Sequence, residues 1–327
     1  MDMRLARIGG SRTSVLREPR HPPLPQHQNR DRSMDVTLQT GLIIKAQSGF
    51  FDVLTEGNPS PIVCQLRGKL KQGRREGDLA AIGDHVAFTR HQDGSGSIDE
   101  ILPRKNMIDR LDPRPQGDYR QVLLANIDQA VFVFACAKPE PHARMLDRFL
   151  VISEKAGIPA IIVFNKADLV DETVFMQKFG YYREIGYPIY LVSAATGKGV
   201  GELRELMQNK LTSLAGPSGV GKSSLMNAMQ PGLGVRVDNI SDYNEKGKHT
   251  TNFRQLLPLE GGGWVADTPG WKSLALWDTY PEEIDAYFPE IAPIVENCRF
   301  SDCTHTHEPG CAVLEGVKQQ KETTQRY

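Results

Sequence analysis

One stretch of this chain has the residue types and spacing to hold a phosphate. Gly216, Pro217, Ser218, Gly219, Val220, Gly221, Lys222, Ser223 and Ser224 follow the apolar run LTSLA and open the helical pattern SSLMNAM. The spacing is GxxxxGK[ST], in the strand-to-helix context that gives it meaning. Its glycines let successive backbone N–H groups face one anion. Lys222 sets a cation against the β- and γ-phosphates, Ser223 offers its hydroxyl to Mg2+, and the helix N-terminus adds its dipole. Pro217 removes one N–H from that cradle, at a position with no required side chain.

A phosphate loop alone does not choose a base. Asn165, Lys166 and Asp168 form NKxD directly after the apolar run AIIVF. A carboxylate there accepts hydrogen bonds from guanine N1–H and N2–H2, and with adenine it would stay unpaired, so Asp168 selects GTP over ATP. Ser193 and Ala194 follow the next strand-like run, where a backbone N–H can support guanine O6. Downstream, Asp267 and Gly270 bound the DTPG that follows WVA, placed for a water-mediated Mg2+ contact and a γ-phosphate N–H. Thr250 or Thr251, in GKHTT, is placed to close on Mg2+ when GTP is bound. In Ras-like GTPases the phosphate loop comes first; here NKAD and SA precede it, so the domain is circularly permuted. Termini lie at surfaces, so such a cut leaves the site intact.

A second chemistry lies near the C-terminus. Cys298, Cys303, His305 and Cys311 offer three thiolates and an imidazole, a complete tetrahedral set for structural Zn2+ with no position left for a substrate water. Spacing alone would also admit His307. Cys64 and Cys136 fall in strand-like runs and are expected to be small core residues.

These groups need a scaffold. The 327 residues are enough for two or three domains, with 39% hydrophobic and 24% charged residues and a net charge of −1. That composition excludes collagenous, coiled-coil and wholly disordered chains, and no apolar run is long enough to span a membrane. Residues 1–33 carry seven arginines and no lysine in a Pro-rich context, which reads as a disordered basic tail. An upstream start before Met34 and an organelle-targeting stretch fit as well. Residues 36–102 show short β-type runs (LIIKA, FFDVL, PIVCQL, HVAFT) between turn signals, which predicts a five-stranded OB-type barrel. Its basic stretch, Arg67, Lys69, Lys71, Arg74 and Arg75, is read either as phosphate contacts to RNA or as a solvated charged loop. Residues 103–116 read as a connector. Beyond them, strand-length runs at 130–136, 160–164, 189–192 and 211–215 alternate with helical ones such as 144–156, predicting a doubly wound α/β sheet with ligands at the carboxyl ends of its strands. The expected domains are a tail (1–34), a barrel (35–105), a permuted GTPase domain (106–280) and a zinc module (281–327).

The ordered set NKAD, VSAATGKG, GPSGVGKSS, GKHTT and DTPG, between a small barrel and CRFSDCTHTHEPGCAV, resembles the RsgA (YjeQ/EngC) family of circularly permuted GTPases over about residues 37–314. The resemblance implies an OB barrel, a permuted P-loop GTPase domain and a zinc module with His305 as the fourth ligand. It implies GTP hydrolysis, with Mg2+, stimulated by the small ribosomal subunit late in its maturation, rRNA as a partner, and a cytoplasmic, monomeric protein. The position that holds a water-orienting glutamine in Ras-like enzymes is Trp271, so slow intrinsic turnover is expected. The resemblance points to His249 as the residue that assists water; an exposed loop histidine is the other reading of the same residue. The family leads one to expect a longer terminal helix than the residues before Tyr327 supply. The alternative function is an RNA-binding protein with a regulatory guanine-nucleotide sensor and negligible turnover.

Overall fold

The computed structural model describes residues 38–71, 78–111, 120–233, 255–267, 271, 279–319 and 326, the side chains of Lys69, Lys71, Leu111 and Asp267 excepted. The predicted tail, Arg74, Arg75, His249, Thr250, Thr251 and Gly270 lie outside the described residues.

Period-two alternation puts Ile43, Phe51, Val53, Ile62, Cys64, Val86, Phe88 and Ile98 on one face of five short strands, and the strands close around them. They are β1 (Leu38–Gln47), β2 (Phe50–Leu54), β3 (Ile62–Leu66), β4 (His85–Arg90) and β5 (Gly96–Ile101). The order β1-β2-β3-β5-β4 is a closed barrel, as the sequence predicts. Bulges at 43–45 in β1 and 87–88 in β4 supply the curvature that closure needs.

The predicted connector is corrected. Within residues 103–116, β6 (Met107–Leu111) pairs antiparallel with β7 (Arg120–Ala125). Flanking prolines hide this short alternating run, and its partner lies beyond a further stretch of chain. The Gly83-Asp84 turn signal also proves to be a buried joint. Asp84 is 0% exposed, and its two carboxylate oxygens accept from Arg104 Nε and Nη2, each at 2.7 Å. Asp84 also accepts from the Ala81 N–H at 2.7 Å, so the buried charge is paired and fully engaged.

The remaining strands form one sheet, order β10-β9-β8-β11-β13-β12. They are β8 (Gln129–Ala135), β9 (Ala160–Asn165), β10 (Ile189–Leu191), β11 (Leu211–Ala215), β12 (Leu257–Pro258) and β13 (Trp264–Asp267). All pairs are parallel except β12 with β13. The helices are α1 (Ala143–Lys155), α2 (Glu172–Phe179), α3 (Tyr181–Glu184), α4 (Val200–Leu206) and α5 (Lys222–Met229), with α6 (Ala292–Val295) and α7 (Ala312–Lys318) after the sheet. β8 shows why both faces are covered. Phe132 and Phe134 pack with Leu146, Phe149 and Leu150 of α1, while Val131, Val133 and Ala135 pack with Val200, Leu203, Leu225 and Met226 of α4 and α5. A strand buried on both faces reads as a continuous apolar run, which is how β8 appears in the sequence. The chain winds outward from β8 through β9 to β10, then returns to β11 on the other side of β8. That reversal opens a crevice at the strands' carboxyl ends.

Candidate functional site

Two loops meet at the crevice. β11 delivers Gly216 to Gly221, and α5 begins at Lys222 with Gly221 as its N-cap at φ 90°. Gly216 sits where a Cβ would come within 2.0 Å of the Val133 carbonyl oxygen, so glycine is required for the loop to leave the sheet here. At Gly221 a Cβ would meet Asn165 Nδ2 at 2.5 Å. The Lys222 ammonium donates to the Gly216 and Pro217 carbonyl oxygens, both at 3.0 Å. Ser223 and Ser224 occupy the first turn of α5, half-buried, and Val220 is buried beneath the loop while Ser218 and Gly219 face solvent.

The NKxD residues are fastened to this loop. Asn165 is 2% exposed; its Nδ2 donates to the Val220 carbonyl at 2.9 Å, and its Oδ1 accepts from the Ala194 N–H at 3.0 Å. Lys166 donates to the Gly219 carbonyl at 2.7 Å and to that of Lys138. Burial lowers the Lys166 pKa, and Asp168 opposes that shift. The backbone at Lys166 is left-handed, φ 62°, a conformation that costs a non-glycine residue energy and is characteristic of functional sites. Asp168 accepts from the buried Ser193 hydroxyl, which also accepts the Thr196 N–H at 3.2 Å. One asparagine amide therefore bridges three loops, those holding NKxD, SA and the phosphate loop. Two residues emerge with duties that spacing did not show: Ser193 steadies the Asp168 carboxylate, and the Ala194 N–H is spent on Asn165.

Asp267 ends β13 opposite Leu214 of β11, one strand from the phosphate loop. Trp271 is 1% exposed: its indole Nε1 donates to Ser213 Oγ at 2.9 Å, and its ring packs edge-on against Phe132 at 4.8 Å and against Phe149 at 6.0 Å. The residue after Gly270 is thus an anchor in the core.

The metal-ligand set also comes together. One donor atom from each of Cys298, Cys303, His305 and Cys311 lies within 4.8 Å of the others. His305 Nδ1 is 3.4 Å from Cys311 Sγ and 3.7 Å from Cys298 Sγ, and the two sulfurs are 4.0 Å apart. Zn–S and Zn–N bonds near 2.3 and 2.0 Å in a tetrahedron give donor separations of about 3.5 to 3.8 Å, so this set fits zinc. His305 turns Nε2 toward Asp285 Oδ2 at 3.0 Å, which fixes the ring and makes Nδ1 the atom that would ligate a metal. His307 is exposed, its Nδ1 bonded to Thr306 Oγ1 at 2.8 Å. The Glu308 carboxylate accepts from the backbones of Thr304, Thr306 and His307, shaping the loop that presents His305. The Thr304 hydroxyl, which donates to the same carboxylate, and then those backbone bonds hold its pKa well below the usual carboxylate range. Asp285 and Glu308 escaped the sequence reading because neither belongs to the cysteine spacing. Of the basic stretch, Arg67 is placed, 2.5 Å from the Asp99 carboxylate and half-exposed.

The chain matches the family model described as RsgA GTPase over residues 101–277 and that of the RsgA N-terminal domain over 40–98. It is 42% identical over 294 residues to the small ribosomal subunit biogenesis GTPase RsgA of Gemmatimonas aurantiaca, covering 89% of this chain and 95% of that protein. The Bacteroides fragilis protein of the same name is 39% identical over 291 residues, covering 88% and 93%. Among solved structures, YjeQ from Thermotoga maritima superposes with a TM-score of 0.71 at 36% identity over 89% of this chain and 95% of its own. YloQ, described as a circularly permuted GTPase, gives 0.68 at 34% identity over 89% and 91%. With a closed barrel, a sheet whose guanine-type loops precede its phosphate loop, and a Cys3His cluster, the chain belongs to the RsgA GTPase family.

Proposed function

We propose that this GTPase acts in late maturation of the small ribosomal subunit, hydrolysing GTP when the subunit stimulates it and using hydrolysis to time its release. The observation that carries the reading is the Asn165 bridge between the base-reading loops and the phosphate loop, in a chain whose relatives are named for small-subunit biogenesis. Lys222 swings from its loop carbonyls to the β- and γ-phosphates, while the N–H groups of residues 216–224, Pro217 excepted, cradle them. Asp168, steadied by Ser193, reads the guanine edge. Asn165, Lys166, Ala194 and Val220 hold the base pocket's shape. Ser223 and Asp267, with Thr250 or Thr251, would hold Mg2+, which neutralises charge developing on the transferred phosphoryl group. Gly270 offers its N–H to the γ-phosphate, and His249 orients the attacking water when the subunit stimulates hydrolysis. Cys298, Cys303, His305 and Cys311 would hold zinc, which stabilises their segment.

Domain limits of 35–105, 106–280 and 281–327 fit these duties. The barrel meets rRNA through Arg67, Lys69, Lys71, Arg74 and Arg75; Arg67 must then exchange Asp99 for phosphate. No helix among the described residues is long and apolar enough to cross a membrane, which suits a cytoplasmic, monomeric protein working on ribosomes.

Hydrolysis of GTP and ATP, each with and without purified small subunits, tests the proposal. Slow GTP turnover that rises only with subunits is expected, and the rise should vanish in His249→Ala. An unchanged preference for GTP in Asp168→Asn would overturn the base-reading role. The second reading, a nucleotide-sensing RNA-binding protein with negligible turnover, draws support from Trp271, whose burial leaves no water-orienting side chain at that position. Turnover that is negligible both with and without subunits decides for it, whereas a measurable rate that subunits leave unchanged would mean a GTPase with another partner.

A further inference from the structure

Among the described residues of the α/β half, the most completely enclosed charge lies outside the loops of the candidate nucleotide site. The Arg326 side chain is 0% exposed. Its Nε donates to Asp147 Oδ1 at 2.8 Å, and its Nη1 to both Glu290 oxygens at 2.8 and 2.9 Å. Three rings surround the guanidinium carbon: Phe288 at 4.6 Å, Tyr187 at 5.7 Å and Tyr182 at 5.8 Å. The walls are themselves braced, since Tyr182 donates to Asp147 at 2.8 Å and Tyr187 to Glu154 at 2.8 Å. Nε and Nη1 face two carboxylates and aromatic faces surround the planar cation, while Nη2 has no hydrogen-bond partner among the described residues; an ammonium has no planar face to lay on these rings.

The walls come from two places. Asp147 on α1, Tyr182 on α3 and Tyr187 belong to the sheet domain, whereas Phe288 and Glu290 belong to the segment that carries Asp285 and Cys298. Removing the guanidinium leaves two largely covered carboxylates, 15% and 7% exposed, with their cation gone, an arrangement that costs more than a surface pair because the charges are partly desolvated.

We propose that these five side chains form a guanidinium-binding site, filled in cis by Arg326, that clasps the metal-ligand segment to α1. The clasp bears on the nucleotide half as well: Phe149, two residues from Asp147 on α1, contacts Trp271, the residue after Gly270. Occupancy of the cage therefore sets how firmly the metal-ligand segment is held to the helix whose Phe149 contacts Trp271.

The test is Arg326→Ala in the full chain, with zinc content checked, read by hydrogen exchange of the amides in 281–295. Exchange there is expected to rise by on the order of a hundredfold, while β8 and β9 stay protected. Ethylguanidinium at about 10 mM should restore protection, and ethylammonium at the same concentration should not. Unchanged exchange with zinc retained, or equal rescue by the two cations, would overturn the proposal. Should Arg326→Ala fail to fold, Arg326→Lys keeps the charge and most of the stem. Faster exchange confined to 281–295 in that variant supports the cage, and wild-type exchange refutes it.

Discussion

The nucleotide loops and the metal-ligand segment are both small, irregular and functional, yet they are held by different means. Beneath the nucleotide loops every residue of β8, β9 and β11 is buried, and the loops hang from a sheet packed on both faces. In 279–319 the buried residues are His305, Cys311 and Val313, two of them members of the Cys3His cluster. A phosphate loop must keep its N–H groups aimed without ligand, so it is built on a core that exists without ligand. The Cys3His segment has almost no apolar core, so we propose that its order comes from an ion held by that set and from clasps such as Arg326.

The largest expected effect breaks that comparison at the metal. Chelation, or Cys311→Ser, should abolish hydrogen-exchange protection across 281–318 while β8, β9 and β11 stay protected. Structural zinc contributes on the order of 10 kcal/mol to small modules, far more than the apolar contacts here could replace. Global unfolding on chelation would show that the two regions share one core.

Next is Gly216→Ala, which strikes the other side. The new methyl would sit 2.0 Å from a backbone oxygen of β8, which has no room to yield. A stability loss of about 2–4 kcal/mol and at least a hundredfold weaker GTP binding are expected, with zinc retained. Denaturant melts and nucleotide titration measure the two. Wild-type GTP binding in this variant would mean that the loop is not fixed by the sheet.

The same contrast governs what the sequence reveals. β8, β9 and β11 are legible because two-sided burial writes itself as continuous apolar runs, and NKAD and GPSGVGKS because each is a contiguous string. The ligand set is legible for the same reason, thiols at short spacing. Strand β6 is not, since a five-residue run between prolines has no local mark that distinguishes it from a linker. Asp84 with Arg104, Asp285 with His305, and Arg326 with Asp147 and Glu290 are all pairings across folded distance. Each residue alone looks like an ordinary surface charge, and only the fold shows which ones are buried together. Trp271 is half legible: the sequence excludes it as a water-orienting residue, and the structure supplies its positive duty in the core.

A smaller effect sharpens the link between the core and the γ-phosphate loop. Trp271→Phe keeps an aromatic ring against Phe132 and Phe149 but leaves Ser213 Oγ without the indole donor. A loss of about 1–2 kcal/mol is expected in a thermal or denaturant melt. GTP affinity should fall less than in Gly216→Ala. A loss of affinity as large as that of Gly216→Ala would make the indole N–H itself the determinant of the loop.

The smallest effect is a reaction that should scarcely proceed. Burial, with Asp52 nearby, pushes the Cys64 thiol up to about 11; burial, with Glu172 and Asp168, pushes Cys136 up to about 12. At pH 8 the thiolate fraction is then about a thousandth or less, against about a tenth for an ordinary thiol, and both sulfurs are also sterically covered. With zinc in place, iodoacetamide at pH 8 should leave all five cysteines unlabelled by mass spectrometry. After chelation, Cys298, Cys303 and Cys311 should label within minutes, and Cys64 and Cys136 should not. Cys136 directly follows β8, close to Glu172 and Asp168 at the edge proposed to read the base, so it reports on that edge. Rapid labelling of Cys136 after chelation would mean that loss of the metal loosens the nucleotide edge too, and the division between a core-held and a metal-held region would fail.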